Sequence, residues 1–284
     1  MENNIYIWIF TIVAIGLYFT IYKNSSRKII AIYDKDSWFG FGDYIKAQQF
    51  LLQNENSCDI HVNYKEHPIG KYLINNNGNN IELPKGKNLP IYRTDETNYH
   101  RFKNIDKTIM LYCNATPLLP ISKNILKKVK NMFVPTEELQ KDIDFAMNKI
   151  GIKKKQFIVV HIRLMDSNNR KSSMYMSDKL QELLKSLQKL NNINVPILVM
   201  SNSMITKTSI ASHYKFLSMD IVPTHTGGQS LDKSNISDDI KGTLIEFFTM
   251  SHAKKIYQFN EQKGFESGFS QRVSELFEVP IIRI

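Results

Sequence analysis

Three short stretches of this chain combine residue types suited to phosphate or acid–base chemistry, each at an expected element boundary. The first is His161-Ile162-Arg163-Leu164-Met165-Asp166, which continues the β-branched run Phe157 to Ile162 (FIVVHI). Ligands of α/β proteins bind at the carboxyl ends of the strands. A guanidinium there can hold a diphosphate through charge-assisted bonds. Arg163 would neutralise the charge growing on a departing phosphate, a task that falls to a metal ion elsewhere. The second stretch is Glu266-Ser267-Gly268-Phe269-Ser270, opening an expected helix. Two hydroxyls beside fresh helix N–H groups suit an anion, and Ser-x-x-Ser is equally an ordinary N-cap. The third is the turn Trp38-Phe39-Gly40-Phe41-Gly42-Asp43 between the first strand and the first helix. Gly40 and Gly42 would let backbone approach a ligand, and the helix start would offer N–H groups to an anion. The turn lacks the third glycine of a dinucleotide fingerprint, so a purely structural role competes.

The elements that must position these residues alternate between strand and helix, the pattern of an α/β fold with mostly parallel sheets. Expected strands are 28–33 (KIIAIY), 58–62, 89–92 and 108–112, with an amphipathic helix over 43–53. Residues 74–87, rich in Asn and Gly, read as an excursion. Thr136 in VPTEEL is an N-cap candidate with Glu137 and Glu138 in the first turn, opening a helix that ends at Gly151. A second series follows: strand 157–162, helix 177–190, strand 196–200, helix 239–252, strand 255–259, helix 269–277 and strand 279–284. The simplest division places a domain boundary near Gly151, giving halves 28–151 and 152–284.

Composition narrows the function classes. With 42% hydrophobic and 23% charged residues in 284, neither a disordered chain nor a polytopic membrane protein is expected. A net charge of +10 raises nucleic-acid binding. However, the lysines are scattered (Lys127, Lys128 and Lys130; Lys153 to Lys155) with no interleaved aromatic stripe, so no nucleic-acid partner is expected. Such a chain attracts anionic substrates or lipid instead. Cys58 and Cys113 lack metal-ligand spacing. Asp34-Lys35-Asp36 spells D-x-D but abuts the first strand, and Asp142 and Asp144 point apart on a helix. No metal site is expected. Residues 3–22 carry no charge and are long enough to cross a bilayer, flanked by Trp8, Tyr18 and Tyr22. Residues 1–27 therefore read as an uncleaved anchor and short linker. Lys23, Arg27 and Lys28 after the span place the large part in the cytosol by the positive-inside rule, a luminal orientation being the alternative.

In chain order, the three stretches resemble the fucosyltransferase superfamily, which includes core α-1,6, nodulation and protein O-fucosyltransferases. That family carries a glycine turn near its start, an H-x-R-(R)-x-D segment past its middle, and a late segment like LS-x-A-D-x-x-V-x-x-x-x-S-x-x-S. Here the last is represented by Phe248 to Tyr257 (FTMSHAKKIY), running on to Ser267-Gly268-Phe269-Ser270. The resemblance covers residues 28–284. It implies two Rossmann-like domains in a GT-B-type arrangement, with the acceptor on the amino-terminal half and the donor on the carboxyl-terminal half. It further implies that Arg163 contacts the β-phosphate, that Ser267, Gly268, Phe269 and Ser270 help bind the diphosphate, and that His161 lies beside the nucleotide. Glu246 takes the place of a carboxylate that reads the adjacent N1–H and N2–H donors of guanine. Ser201 and Asn202 follow a strand from which relatives present polar groups to the donor. The implied activity is an inverting, metal-independent and cofactor-free transfer of a sugar, fucose first, from a GDP-sugar to a hydroxyl on a glycan or protein. Leu164 departs from the commonest motif, which has a second Arg, and no Asp pair follows Met200. Asp166, or Asp43 from the facing domain, is left as the candidate base. A catalytically inactive, membrane-tethered nucleotide-sugar or glycan-binding protein of the same fold is the alternative.

Overall fold

A computed structural model describes residues 28–55, 59–64, 66–76, 89–105, 107–164, 178–191, 193–221, 226, 236–260 and 267–284. The amino-terminal half runs β1 (Lys28–Ile32), α1 (Phe41–Asn54), β2 (Asp59–Asn63), β3 (Leu73–Ile74), β4 (Ile91–Thr94), β5 (Ile109–Cys113), α2 (Lys123–Met132), β6 (Val134–Pro135) and α3 (Glu137–Lys149). Its main sheet has four parallel strands in the order β2-β1-β5-β4, and β3 and β6 form a short antiparallel pair. The carboxyl-terminal half contains β7 (Ile158–Arg163), α4 (Asp178–Leu190), β8 (Ile197–Ser201), α5 (Met204–Tyr214), β9 (Leu217–Ser218), α6 (Ile236–Ser251), β10 (Lys255–Asn260), α7 (Gly268–Phe277) and β11 (Ile281–Arg283). Five parallel strands are ordered β11-β10-β7-β8-β9. Parallel neighbours need crossover connections, which the intervening helices supply.

Local chemistry sets several element ends. Thr136 Oγ1 accepts from Leu139 N at 3.2 Å and caps α3, as its position before Glu137 and Glu138 predicts. At the other end Gly151 takes φ +72°, Gly151 N donates to Asn148 O, and Ile152 N donates to Met147 O. This Schellman turn needs a left-handed residue, which glycine adopts without strain. It redirects the chain between the strands of the first sheet and those of the second. Two helices fall in stretches for which no element is expected above. In α2 and α5 the starts are nonetheless capped by Ser122 and Ser203.

Period-two alternation decides which face each strand buries. On β7, Val159 faces the large core, while Val160 and Ile162 face a second cluster with Leu183, Leu187 and Ile210. On β8, Leu198 and Met200 face the first, Ile197 and Val199 the second. The large core is continuous across both halves, running from Ile29 to Val279. At its centre Phe41 meets Phe133 at 5.6 Å and Phe247 at 5.2 Å, edge to face. Helix α1 packs on α7 and α3 on α6, so the halves are joined by helices rather than by strands. Among the described residues no helix is long and apolar enough to cross a membrane. The anchor read over residues 3–22 lies outside the described residues.

Candidate active site

The carboxyl ends of β7, β8 and β10 and the start of α7 converge on one edge of the second sheet. His161 and Arg163 end β7, and Arg163 lies opposite Asn260 on β10. Asn260 Oδ1 accepts from Ser267 N at 3.2 Å. Gln258 Nε2, two residues earlier on β10, donates to Ser267 O at 3.4 Å. The strand carrying Arg163 is thus one strand away from the residue that opens α7. On the other side, Asn202 clamps the chain directly after Arg163: Leu164 N donates to its Oδ1 at 2.9 Å, and its Nδ2 donates to Leu164 O at 3.0 Å. Ser201, buried, accepts from Ser203 N at 3.1 Å and shapes the turn into α5. In this geometry Ser201 and Asn202 act on backbone, holding the strand edge in place.

His161 and Ser270 form a buried pair, with Nδ1 and Oγ 2.9 Å apart. Burial, with a smaller contribution from the neighbouring Arg163 charge, pushes the His161 pKa down to about 3. The imidazole is therefore neutral near neutral pH and acts as a strut, leaving the positive charge of this strand end to Arg163. Ser270 is fully buried and spends its hydroxyl on His161. Ser267 behaves differently: it is the N-cap residue of α7, yet its side chain makes no capping bond. The ring of Phe269 packs between His161 (5.9 Å) and Phe247 (5.1 Å).

The glycine turn is explained by protein contacts. A Cβ added at Gly42 would meet Gly268 C at 2.7 Å, and Gly268 O and Phe269 N at 2.9 Å. The close approach that Gly42 permits is to the backbone of α7. The start of α1, expected to offer its N–H groups to an anion, is also engaged: Phe41 N donates to Thr226 Oγ1 at 2.8 Å. Gly40, at the N-cap, has no side chain with which to cap. Thr226 comes from the other half and is gripped further by Tyr33, whose hydroxyl donates to Thr226 Oγ1 at 2.8 Å. His67 Nε2 lies 2.8 Å from Thr226 O. His67 Nδ1 accepts from Ile69 N, so its Nε2 carries the proton and donates. Asp43 lies beside this contact, 3.5 Å from a Cβ built on Gly268, and pairs with Lys46 at 3.2 Å while staying 40% exposed. Asp166 lies outside the described residues.

Glu246 is buried on α6, where its Oε1 pairs with Lys207 Nζ at 3.1 Å. Burial raises the Glu246 pKa, and the Lys207 charge opposes that rise. Lys207, fully buried on α5, also donates to Ile221 O. Sequence reasoning passed over Lys207, Thr226 and Asn260. Of these only Asn260, a polar residue where a strand runs out, had a local signal. No group of three or more His, Cys, Asp or Glu side chains among the described residues is placed to hold a metal ion.

No family model and no curated protein matches the chain. Solved structures do. Fucosyltransferase NodZ from Bradyrhizobium superposes with a TM-score of 0.58 at 12% identity, over 91% of this chain and 96% of that one. NodZ alpha-1,6-fucosyltransferase co-crystallised with GDP gives 0.57 at 12% identity, over 91% and 95%. A mutant of Arabidopsis thaliana FUT1 in complex with GDP gives 0.56 at 10% identity, over 90% and 70%. At identities this low the shared property is architecture: the chain carries a fucosyltransferase-like fold, a mixed α/β arrangement matching the GT-B fucosyltransferases.

Proposed function

We propose that this protein is a glycosyltransferase that moves a sugar, fucose first, from a GDP-sugar to a hydroxyl acceptor on a glycan or protein. The observation that carries the reading is the strand register that sets Arg163, two residues on from the His161–Ser270 pair, opposite Asn260, which bonds Ser267 at the start of α7. An arginine at this strand end, one strand away from a helix start, is suited to a pyrophosphate leaving group. The neighbouring imidazole is neutral, so Arg163 supplies the charge compensation and no metal is required in this scheme. The acceptor hydroxyl attacks the anomeric carbon opposite the diphosphate, which inverts its configuration. Ser267, whose hydroxyl is not spent on capping, and the first amides of α7 complete the diphosphate cradle. Glu246 faces guanine in this proposal, with Lys207 holding one carboxylate oxygen. Asp43 or Asp166 takes the acceptor proton. Residues 3–22 tether the enzyme to a membrane, with the catalytic part in the cytosol. The NodZ and FUT1 matches, with GDP in two of those structures, support the nucleotide class.

The test is Arg163→Ala. Transfer from GDP-fucose should fall by about 10²–10³, the usual cost of removing one donor from a developing oxyanion. Thermal unfolding should change far less than transfer, because Arg163 lies at a strand end and is half-buried. Near-normal transfer would overturn the assignment. Calorimetry with GDP, UDP and ADP separates donor classes, and the proposal requires GDP to bind tightest.

A further inference from the structure

Asp34, Trp38, Arg93 and Tyr112 are dispersed in the chain but meet at one place in the amino-terminal half. Asp34 and Trp38 lie between β1 and α1, Arg93 near the carboxyl end of β4, and Tyr112 near that of β5. Strands β1, β5 and β4 are neighbours in a parallel sheet, and ligands bind along that edge. The Tyr112 hydroxyl donates to Asp34 Oδ2 at 2.6 Å, and Asp36 N donates to Asp34 Oδ1 at 2.9 Å, so the carboxylate is held in one orientation. The Arg93 guanidinium carbon stands 4.8 Å from the Trp38 ring centroid and 5.8 Å from that of Tyr112. Trp38 is 46% exposed, although Ser37 and Phe39 on either side are buried.

A single exposed aromatic is ordinary. What distinguishes this one is its setting: an oriented carboxylate nearby and an exposed guanidinium that lies over one face of the indole. We propose that this cluster is the acceptor subsite and that its ligand is a neutral carbohydrate. The assignment rests on the sugar-transfer reading above. A pyranose offers an apolar C–H face and adjacent hydroxyls that both donate and accept. The cluster offers the complement: the exposed part of the indole, a donor-only guanidinium over its covered face, and an acceptor-only carboxylate. Trp38 belongs to the same turn as Gly42, which touches Gly268 at the start of α7.

The chain contains two tryptophans, Trp8 and Trp38, so Trp8→Phe in the full-length protein leaves Trp38 as the only indole reporter. Its emission is followed while neutral oligomers of glucose, mannose, xylose and N-acetylglucosamine are titrated, with GDP binding measured in parallel by calorimetry. At least one oligosaccharide should give a saturable change. Arg93→Ala and Asp34→Asn, at exposed and half-buried positions, should weaken it about ten-fold or more, as loss of a charged hydrogen bond implies. GDP affinity should be unaffected in both variants. If no oligosaccharide alters the emission while GDP binds normally, the subsite is wrong and the donor reading stands. A response to acceptor peptides alone, or a loss of GDP affinity in Arg93→Ala, overturns it as well. Failure of GDP to bind the parent protein refutes the transfer reading and this inference with it.

Discussion

Replacing Gly42 by alanine tests whether two helix starts must touch for the proposed diphosphate cradle to form. The new Cβ would lie 2.7 Å from Gly268 C and 2.9 Å from Gly268 O and Phe269 N. All three are backbone atoms of α7, so no flexible side chain can swing aside. Helix propensity acts the other way: alanine gains up to about 1 kcal/mol over glycine in a helix interior. Overpacking against fixed neighbours costs about 1–3 kcal/mol. The clash should win, for a net loss of about 1–2 kcal/mol. In urea titrations this appears as a lower midpoint at unchanged slope. Relief of the clash must displace the first turn of α7, which also carries the Ser270–His161 and Ser267–Asn260 bonds. GDP affinity should therefore fall in the same variant. Gly151→Ala is the control: φ is +72° with nothing within 4 Å, so it costs about 1–2 kcal/mol of left-handed strain and leaves GDP binding alone. A neutral or stabilising Gly42→Ala, or one that loses stability with GDP affinity intact, would refute the argument.

Other perturbations follow from the same contacts. Lys207→Met strands the buried Glu246 carboxylate and should cost about 3–5 kcal/mol, much of it recovered in Lys207→Met/Glu246→Leu, as chemical denaturation would show. Thr226→Val keeps the shape but removes the oxygen that accepts from Phe41 N and Tyr33 Oη; a loss of about 1–2 kcal/mol is expected, with Thr226→Ser close to wild type. Burial depresses His161 from its ordinary 6.5 to about 3, and His67 and His252 to about 4. Below pH 6.5 the unfolded chain takes up protons that the folded chain refuses until those lower values. Stability should therefore fall as pH drops through that window and level off below it. His161→Gln should flatten this dependence by about one proton in urea midpoints measured against pH.

Much of the fold was legible because strands and caps are local. Runs such as FIVVHI, the Thr136 cap and the Gly151 turn state their geometry within a few residues, and the expected elements agree with the structure to within a few residues at their ends. Helix α5 went unassigned because the rest of the fold, more than its own periodicity, fixes what it buries; α2 was legible from Ile125, Val129 and Met132 at helical spacing and was passed over. Lys207 on α5 is the clearest case, a lysine that is wholly buried because Glu246 and Ile221 O receive it.

The candidate site divides along the same line. The residue sequence by itself specified that a histidine and an arginine end a central strand, that serines open a late helix, and that glycines open the first. These are statements about neighbours in the chain. Only the tertiary structure decided what each group meets: Ser270 turns to His161, Gly42 yields space to Gly268, Thr226 caps α1, and Asn260 bridges Arg163's strand to Ser267. Most of these partners lie a hundred or more residues apart, and a hydroxyl or a glycine has the same local signature whether it serves a ligand or another part of the protein. Which of the two it serves depends on tertiary packing, within the second half for Ser270 and Asn260 and between the halves for Gly42 and Thr226, and that has no counterpart in local spacing.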